Sequence, residues 1–211
     1  MDTRSVVLQP RVKICGIRRP EDAQLAVELG AHALGFVFWP NSPRAVTAEQ
    51  ARIVIDRVPP FVAAVGVFVN QAPADVLDTA RRAGLTAIQL HGDEEASAYA
   101  GCGWRVIKAL PVGKDFTLSA VEDVPAEMTV LLDAHDPVRR GGTGRAIEWS
   151  VAATAARVRP IVLSGGLTPA NVRTAIDAVQ PFAVDVSSGV ESAPGVKDET
   201  KMRAFFAALR S

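Results

Sequence analysis

At 211 residues with 48% hydrophobic composition, the chain is sized for one substantial core, so a single domain spanning residues 1–211 is expected. Lysine and arginine together number 23, as do aspartate and glutamate, and this zero formal charge gives no global field to attract nucleic acid or an anionic membrane. Cys15 and Cys102 are too few for a disulfide framework, and metal-type Cys/His spacing is absent from the sequence.

Met1 to Pro10 carry Asp2 and Arg4 and lack the apolar stretch of a signal peptide, so a cytoplasmic location is expected, with residues 1–11 as an N-terminal extension. Apolar runs then recur as strand candidates: Val12 to Cys15, Leu34 to Phe38, Val62 to Val69, Ala87 to Leu90, Val106 to Ala109, Val130 to Asp133, Ile161 to Leu163 and Ala183 to Val186. Helical periodicity falls between them, most clearly at Pro20 to Leu29, Thr47 to Val58, Pro73 to Ala83, Trp149 to Ala156, Thr168 to Val179 and Lys197 to Leu209. The longest apolar run, Phe61 to Val69, is far short of the roughly 18 residues of a membrane span and reads as a buried strand.

Strands that alternate with helices must run parallel, because a hairpin cannot reach a parallel neighbour. Eight such units at about 26 residues each predict a closed (β/α)₈ TIM barrel, an α/β fold. An open doubly wound sheet is the alternative, since the sequence does not display closure.

In a barrel of this kind, sites are built at the carboxyl ends of the strands. Strand parity puts Lys13 with Cys15, Gln89 with His91, Leu131 with Asp133 and Asp185 with Ser187 on shared faces. The seventh and eighth strands run into Ser164-Gly165-Gly166 and Ser187-Ser188-Gly189, neighbouring loops whose backbone N–H groups can approach a phosphate closely. Read alone, either loop is also an ordinary tight turn. Cys15 and Asp133, a thiol and a carboxyl at strand ends, could serve one substrate as base and acid; separately they also read as a small buried hydrophobe and a turn or capping residue. Arg44 suits bidentate binding of a carboxylate, although surface arginine is the commoner fate, and His91 reads as a catalyst or a satisfied core histidine. The run Gly141-Gly142-Thr143-Gly144 lacks the Lys-Ser/Thr of a P-loop and reads as a loop covering the site.

Taken in order, Lys13-Ile14-Cys15-Gly16-Ile17, Gly35-Phe36-Val37-Phe38, Ser42-Pro43-Arg44, Gln89-Leu90-His91-Gly92, Gly141-Gly142-Thr143-Gly144, Leu163-Ser164-Gly165-Gly166-Leu167 and Val184-Asp185-Val186-Ser187-Ser188-Gly189-Val190-Glu191 resemble the phosphoribosylanthranilate isomerases of tryptophan biosynthesis. The resemblance implies a cofactor-free, metal-free Amadori rearrangement of N-(5-phosphoribosyl)anthranilate to 1-(2-carboxyphenylamino)-1-deoxyribulose 5-phosphate. It implies Asp133 as the acid that opens the sugar ring and Cys15 as the base that removes the C2′ proton. Arg44 matches the position that holds the anthranilate carboxylate. Gly165, Gly166, Ser187, Ser188 and Gly189 match the phosphate loops, and His91 and Asp185 match supporting positions. The expected partner is a small phosphorylated molecule, with no nucleic acid and no membrane, and a homodimer is the assembly to consider. Departures are the residues Met1 to Arg11 ahead of the usual start, Arg18 where threonine is frequent, and Ile147 where an aromatic is common near Trp149.

The first rival is the bifunctional isomerase shared between the histidine and tryptophan pathways, whose pattern puts an aspartate on the first and fifth strands. Here the first ends in Cys15 and the fifth, Val106-Ile107-Lys108-Ala109, has no carboxylate. The second is a non-catalytic sensor barrel, which would give Cys15 and Asp133 no reason to face each other.

Overall fold

The computed structural model describes residues 9–113, 115–134 and 149–210. Its strands are β1 (Arg11–Cys15), β2 (Ala33–Val37), β3 (Ala63–Phe68), β4 (Ala87–Leu90), β5 (Arg105–Val112), β6 (Thr129–Ala134), β7 (Ile161–Leu163) and β8 (Ala183–Val186). They pair in chain order and close into a parallel barrel, with β1 hydrogen-bonded to β2 on one side and β8 on the other. Closure removes the open-sheet alternative. Outside the barrel lie α1 (Pro20–Leu29), α2 (Ala48–Ile55), α3 (Pro73–Ala83), α4 (Ser119–Glu122), α5 (Trp149–Val158), α6 (Val172–Val179) and α7 (Glu199–Ala208).

Local chemistry explains the boundaries. Proline at the start of α1 and α3 supplies the helical φ where no N–H partner is needed, and Gly30 and Gly84 end these helices in the left-handed region. Thr47 and Gln50 form a reciprocal capping box that starts α2, a device contributing about 1 kcal/mol. Outward-facing strand residues such as Ile14, Phe36, Phe68, Leu90, Leu132 and Leu163 bury against Ala26, Ala51, Ala80, Ala155 and Phe205 of the helices. Inside the barrel, Ala109, Leu131, Val162 and Ala183 fill the lower part, so the interior is a packed floor beneath the site.

The structure differs from the sequence expectation in several places. Arg11, assigned to the extension, is the first residue of β1, where it pairs with Ala183. The helix expected from Thr168 begins at Val172. Asn171 replaces its first turn, accepting from the Thr168 N–H at 2.8 Å and donating to the Gly166 carbonyl at 2.9 Å. Lys197, expected in the last helix, lies instead in an antiparallel hairpin of β9 (Glu191–Ala193) and β10 (Val196–Lys197), and Asp198 caps α7. Between β4 and β5 only a 3₁₀ turn, Ala96–Tyr99, forms, since Gly101 and Gly103 adopt positive φ and break the helical run. The stretch Gly141-Gly142-Thr143-Gly144 and Ile147 lie outside the described residues. Among the described residues no helix is long and apolar enough to cross a membrane.

Candidate active site

A cavity of about 510 Å³ opens at the carboxyl ends of the strands. Cys15, Arg44, His91, Asp133, Gly165, Gly166, Asp185, Ser187, Ser188 and Gly189 all line it. Every residue singled out from the sequence as a site candidate therefore meets the same space. Among the described residues, no three His, Cys, Asp or Glu side chains converge as metal ligands would.

Cys15 ends β1, one strand turn beyond Lys13 and on the same inward face. Lys13 and Asp185 are register partners on neighbouring strands, and the ammonium meets Asp185 Oδ1 at 2.9 Å with both side chains buried. Removing either member of such a buried pair strands a charge at a cost of about 3–5 kcal/mol. Burial draws the Lys13 ammonium toward neutrality, but Asp185 and Cys15 outweigh it and hold its pKa above the ordinary lysine value. Burial pushes the Cys15 thiol up, further than Lys13 and Lys197 pull it down, and Asp185 adds to the rise. Space for the sulfur comes from Gly35 on β2, where a Cβ would sit 2.8 Å from Sγ and 3.1 Å from Lys13 Nζ.

Asp133, near the end of β6, is 6% exposed. Its Oδ2 lies 3.2 Å from His91 Nε2, and His91 Nδ1 lies 2.9 Å from Gln89 Nε2. His91 follows β4 on a loop that is tightly tied. Glu94 accepts from the Gly92 and Asn70 N–H groups, and the Lys108 ammonium spans the Gly92 carbonyl and Glu94.

The loops after β7 and β8 interlock. Gly165 and Gly166 hold φ of 91° and 68°, a region that disfavours side chains, and a Cβ at Gly189 would come within 1.9 Å of the Leu167 carbonyl oxygen. Backbone therefore lines this corner. The Ser187 hydroxyl oxygen, beside Gly16, is buried with no partner among the described residues. Across the cavity stand Val37, Trp39 and Val67, an apolar wall carried by β2 and β3.

Arg44 does not hang free over the cavity. Its Nε and Nη2 fork onto Glu191 at 2.9 and 2.6 Å, and the side chain is 13% exposed. That fork leaves Nη1 and the second Nη2 proton for another carboxylate on the adjoining edge. Glu191 also accepts from Lys197 at 2.9 Å, and the same buried ammonium donates to the carbonyls of Cys15 at 2.5 Å and Ser187 at 3.3 Å. Burial alone would raise the Glu191 carboxyl, but the Arg44 fork and Lys197 outweigh it and hold its pKa below the ordinary glutamate value. Burial lowers the Lys197 pKa further than Glu191 and Cys15 raise it, and repulsion from Arg44 adds to the fall.

Sequence reasoning gave no role to Lys13, Gln89, Glu191 or Lys197, which support the candidates from behind. The parity that placed Lys13 beside Cys15 and Gln89 beside His91 was the available signal for the first pair. Pro194-Gly195, a turn signature that separates Lys197 from Glu191 by one hairpin, was the signal for the second.

The family model described as N-(5'phosphoribosyl)anthranilate (PRA) isomerase matches residues 12–208. A protein of Geobacter sulfurreducens named N-(5'-phosphoribosyl)anthranilate isomerase is 52% identical over 195 residues, covering 92% of this chain and 96% of that protein. The crystal structure of phosphoribosyl anthranilate isomerase from Thermus thermophilus superposes with a TM-score of 0.87 at 43% identity, covering 95% of this chain and 98% of that one. Another phosphoribosyl anthranilate isomerase, solved with reduced 1-(o-carboxyphenylamino)-1-deoxyribulose 5-phosphate, gives a TM-score of 0.84 at 43% identity over 95% of this chain and 98% of that one. With its barrel closed, its cavity assembled from the expected strand ends and its sequence matched almost throughout, the chain belongs to the N-(5'-phosphoribosyl)anthranilate isomerase family.

Proposed function

We propose that the chain carries out the Amadori rearrangement of N-(5-phosphoribosyl)anthranilate in tryptophan biosynthesis, with Asp133 as acid and Cys15 as base. The observation that carries this reading is the meeting of Cys15, Asp133, Arg44 and both glycine loops around one cavity, although they come from distant parts of the chain. The substrate's anionic tail enters the corner between the β7 and β8 loops, where backbone N–H groups offer donors. Its aromatic ring lies against Val37, Trp39 and Val67, and its carboxylate takes the open edge of Arg44. Glu191 and Lys197 keep that edge turned toward the cavity.

With the ends fixed, the sugar lies between Cys15 and Asp133. Protonated Asp133 gives its proton to the ribose ring oxygen. The C1′–O bond breaks as the nitrogen lone pair forms an iminium, which acidifies the C2′ proton. Cys15, as thiolate, takes that proton, and the freed electron pair neutralises the iminium to give an enolamine. This intermediate becomes the ketone by losing its C2′ hydroxyl proton and gaining one at C1′. The positive iminium and the Lys13 ammonium both favour the thiolate at the moment it is needed.

Purified protein is expected to consume N-(5-phosphoribosyl)anthranilate, followed by the change in anthranilate fluorescence, without added metal and equally well in the presence of a chelator. Absence of turnover, or turnover abolished by chelation, overturns the reading. Arg44→Ala is expected to raise KM about 10- to 100-fold with a much smaller change in kcat, the worth of a charged hydrogen-bonded contact. An unchanged KM would remove the carboxylate contact.

A further inference from the structure

Gln89 is 1% exposed, points into the barrel from β4 and takes no part in the steps above. Its amide is only half satisfied. Nε2 meets His91 Nδ1 at 2.9 Å, while the buried Oε1 has no partner among the described residues. An orphaned buried acceptor costs about 1–3 kcal/mol and calls for an explanation. We propose that Gln89 is a positioning residue for the acid: it donates to His91 Nδ1, fixes the imidazole proton on Nε2, and thereby directs the proton of Asp133 to Oδ1.

The chain of donors follows from which atoms can give and which can only take. An amide N–H pointing at Nδ1 requires that nitrogen to be bare, so the neutral ring carries its proton on Nε2. That N–H then donates to Asp133 Oδ2, 3.2 Å away. An oxygen accepting this bond is the poorer place for the acid proton, which resides on Oδ1, to which no described residue donates. When Oδ1–H protonates the ring oxygen, the O–H electron pair stays on the carboxylate and spreads to Oδ2, where the His91 N–H already waits. The same bond serves Asp133 before and after transfer.

Turning the amide over reverses the outcome. Oε1 would accept from Nδ1–H, leaving Nε2 bare, and the acid proton would be held between Oδ2 and Nε2, away from the sugar. The orphaned oxygen is thus explained by the need for the amide nitrogen at Nδ1. This inference rests on Asp133 as the acid, but its tautomer claim can be read without turnover.

The experiment is ¹⁵N NMR of the imidazole nitrogens, with His91 identified among the three histidines by its loss in His91→Gln. Wild-type protein is expected to show His91 bare at Nδ1 and protonated at Nε2. Gln89→Glu, which can only accept at Nδ1, is expected to move a proton onto that nitrogen, and the similarly sized Gln89→Leu to give mixed tautomers. Both variants are expected to lose about 10- to 100-fold in kcat with KM within about twofold of wild type, since the acid is misdirected and binding is not. A wild-type His91 protonated at Nδ1 would overturn the proposal. So would variants whose nitrogen shifts, or whose kcat, match wild type. If the shifts behave as expected but Asp133→Asn remains fully active, the hydrogen-bond chain stands and the acid assignment alone fails.

Discussion

Cys15→Ala is expected to fold normally and to lose about 10²- to 10⁴-fold in kcat, because the other ionisable groups beside β1, Asp185 included, are held in buried ion pairs. Lys13 is held by Asp185 as an ammonium and has no lone pair to offer, and Lys197 spends its protons on carbonyls and Glu191. The Lys13–Asp185 pair is kept in the variant, so no buried charge is stranded. The pH profile provides a second check. A thiol pushed up by burial is protonated at neutral pH and gains its basic form as pH rises. The ultraviolet thiolate absorbance that the wild type has and Cys15→Ala lacks is therefore expected to appear above pH 9.0, the unperturbed thiol value. A thiolate signal complete below pH 8 would contradict the raised thiol, and a Cys15→Ala enzyme with wild-type rates would remove the base.

Asp133→Asn is expected to cost a similar factor of about 10²- to 10⁴ for a different reason: the amide accepts the His91 bond at Oδ1 but has no acidic proton to open the ring. The two variants are separable with substrate deuterated at C2′. Cys15→Ala should show a clear isotope effect, because proton removal limits it, whereas Asp133→Asn should show none, because ring opening limits it. Binding of the reduced product analogue bound by the family relative should survive in Asp133→Asn within a few-fold. Loss of that binding would mean that Asp133 shapes the cavity rather than supplying a proton.

The barrel was legible because strand and helix periods alternate cleanly along the chain. Ala87–Leu90, Ile161–Leu163, Ala183–Val186, Pro20–Leu29 and Pro73–Ala83 fall where local signals put them, each bounded by glycine, proline or a polar turn. Long-range chemistry was harder to see. The site candidates were found because strand ends are privileged places in this architecture, and parity told which side chains turn inward. Nothing local, however, announces that Arg44 will fork onto Glu191, 147 positions away. Lys197 sat in a helical-looking run, and only the preceding Pro194-Gly195 hinted that the chain doubles back first. Helix starts moved for a similar reason, as at Val172, where Asn171 ties down the preceding chain by accepting from the Thr168 N–H and donating to the Gly166 carbonyl.

The ammonium that grips the carbonyls of Cys15 and Ser187 is translated after all of the barrel strands. A chain that has emerged only through β8 would hold every strand of the cylinder but neither that tether nor α7, whose Met202, Phe205 and Phe206 are buried in the core. The same last stretch of chain would thus finish the barrel and moor the sulfur together, late in synthesis.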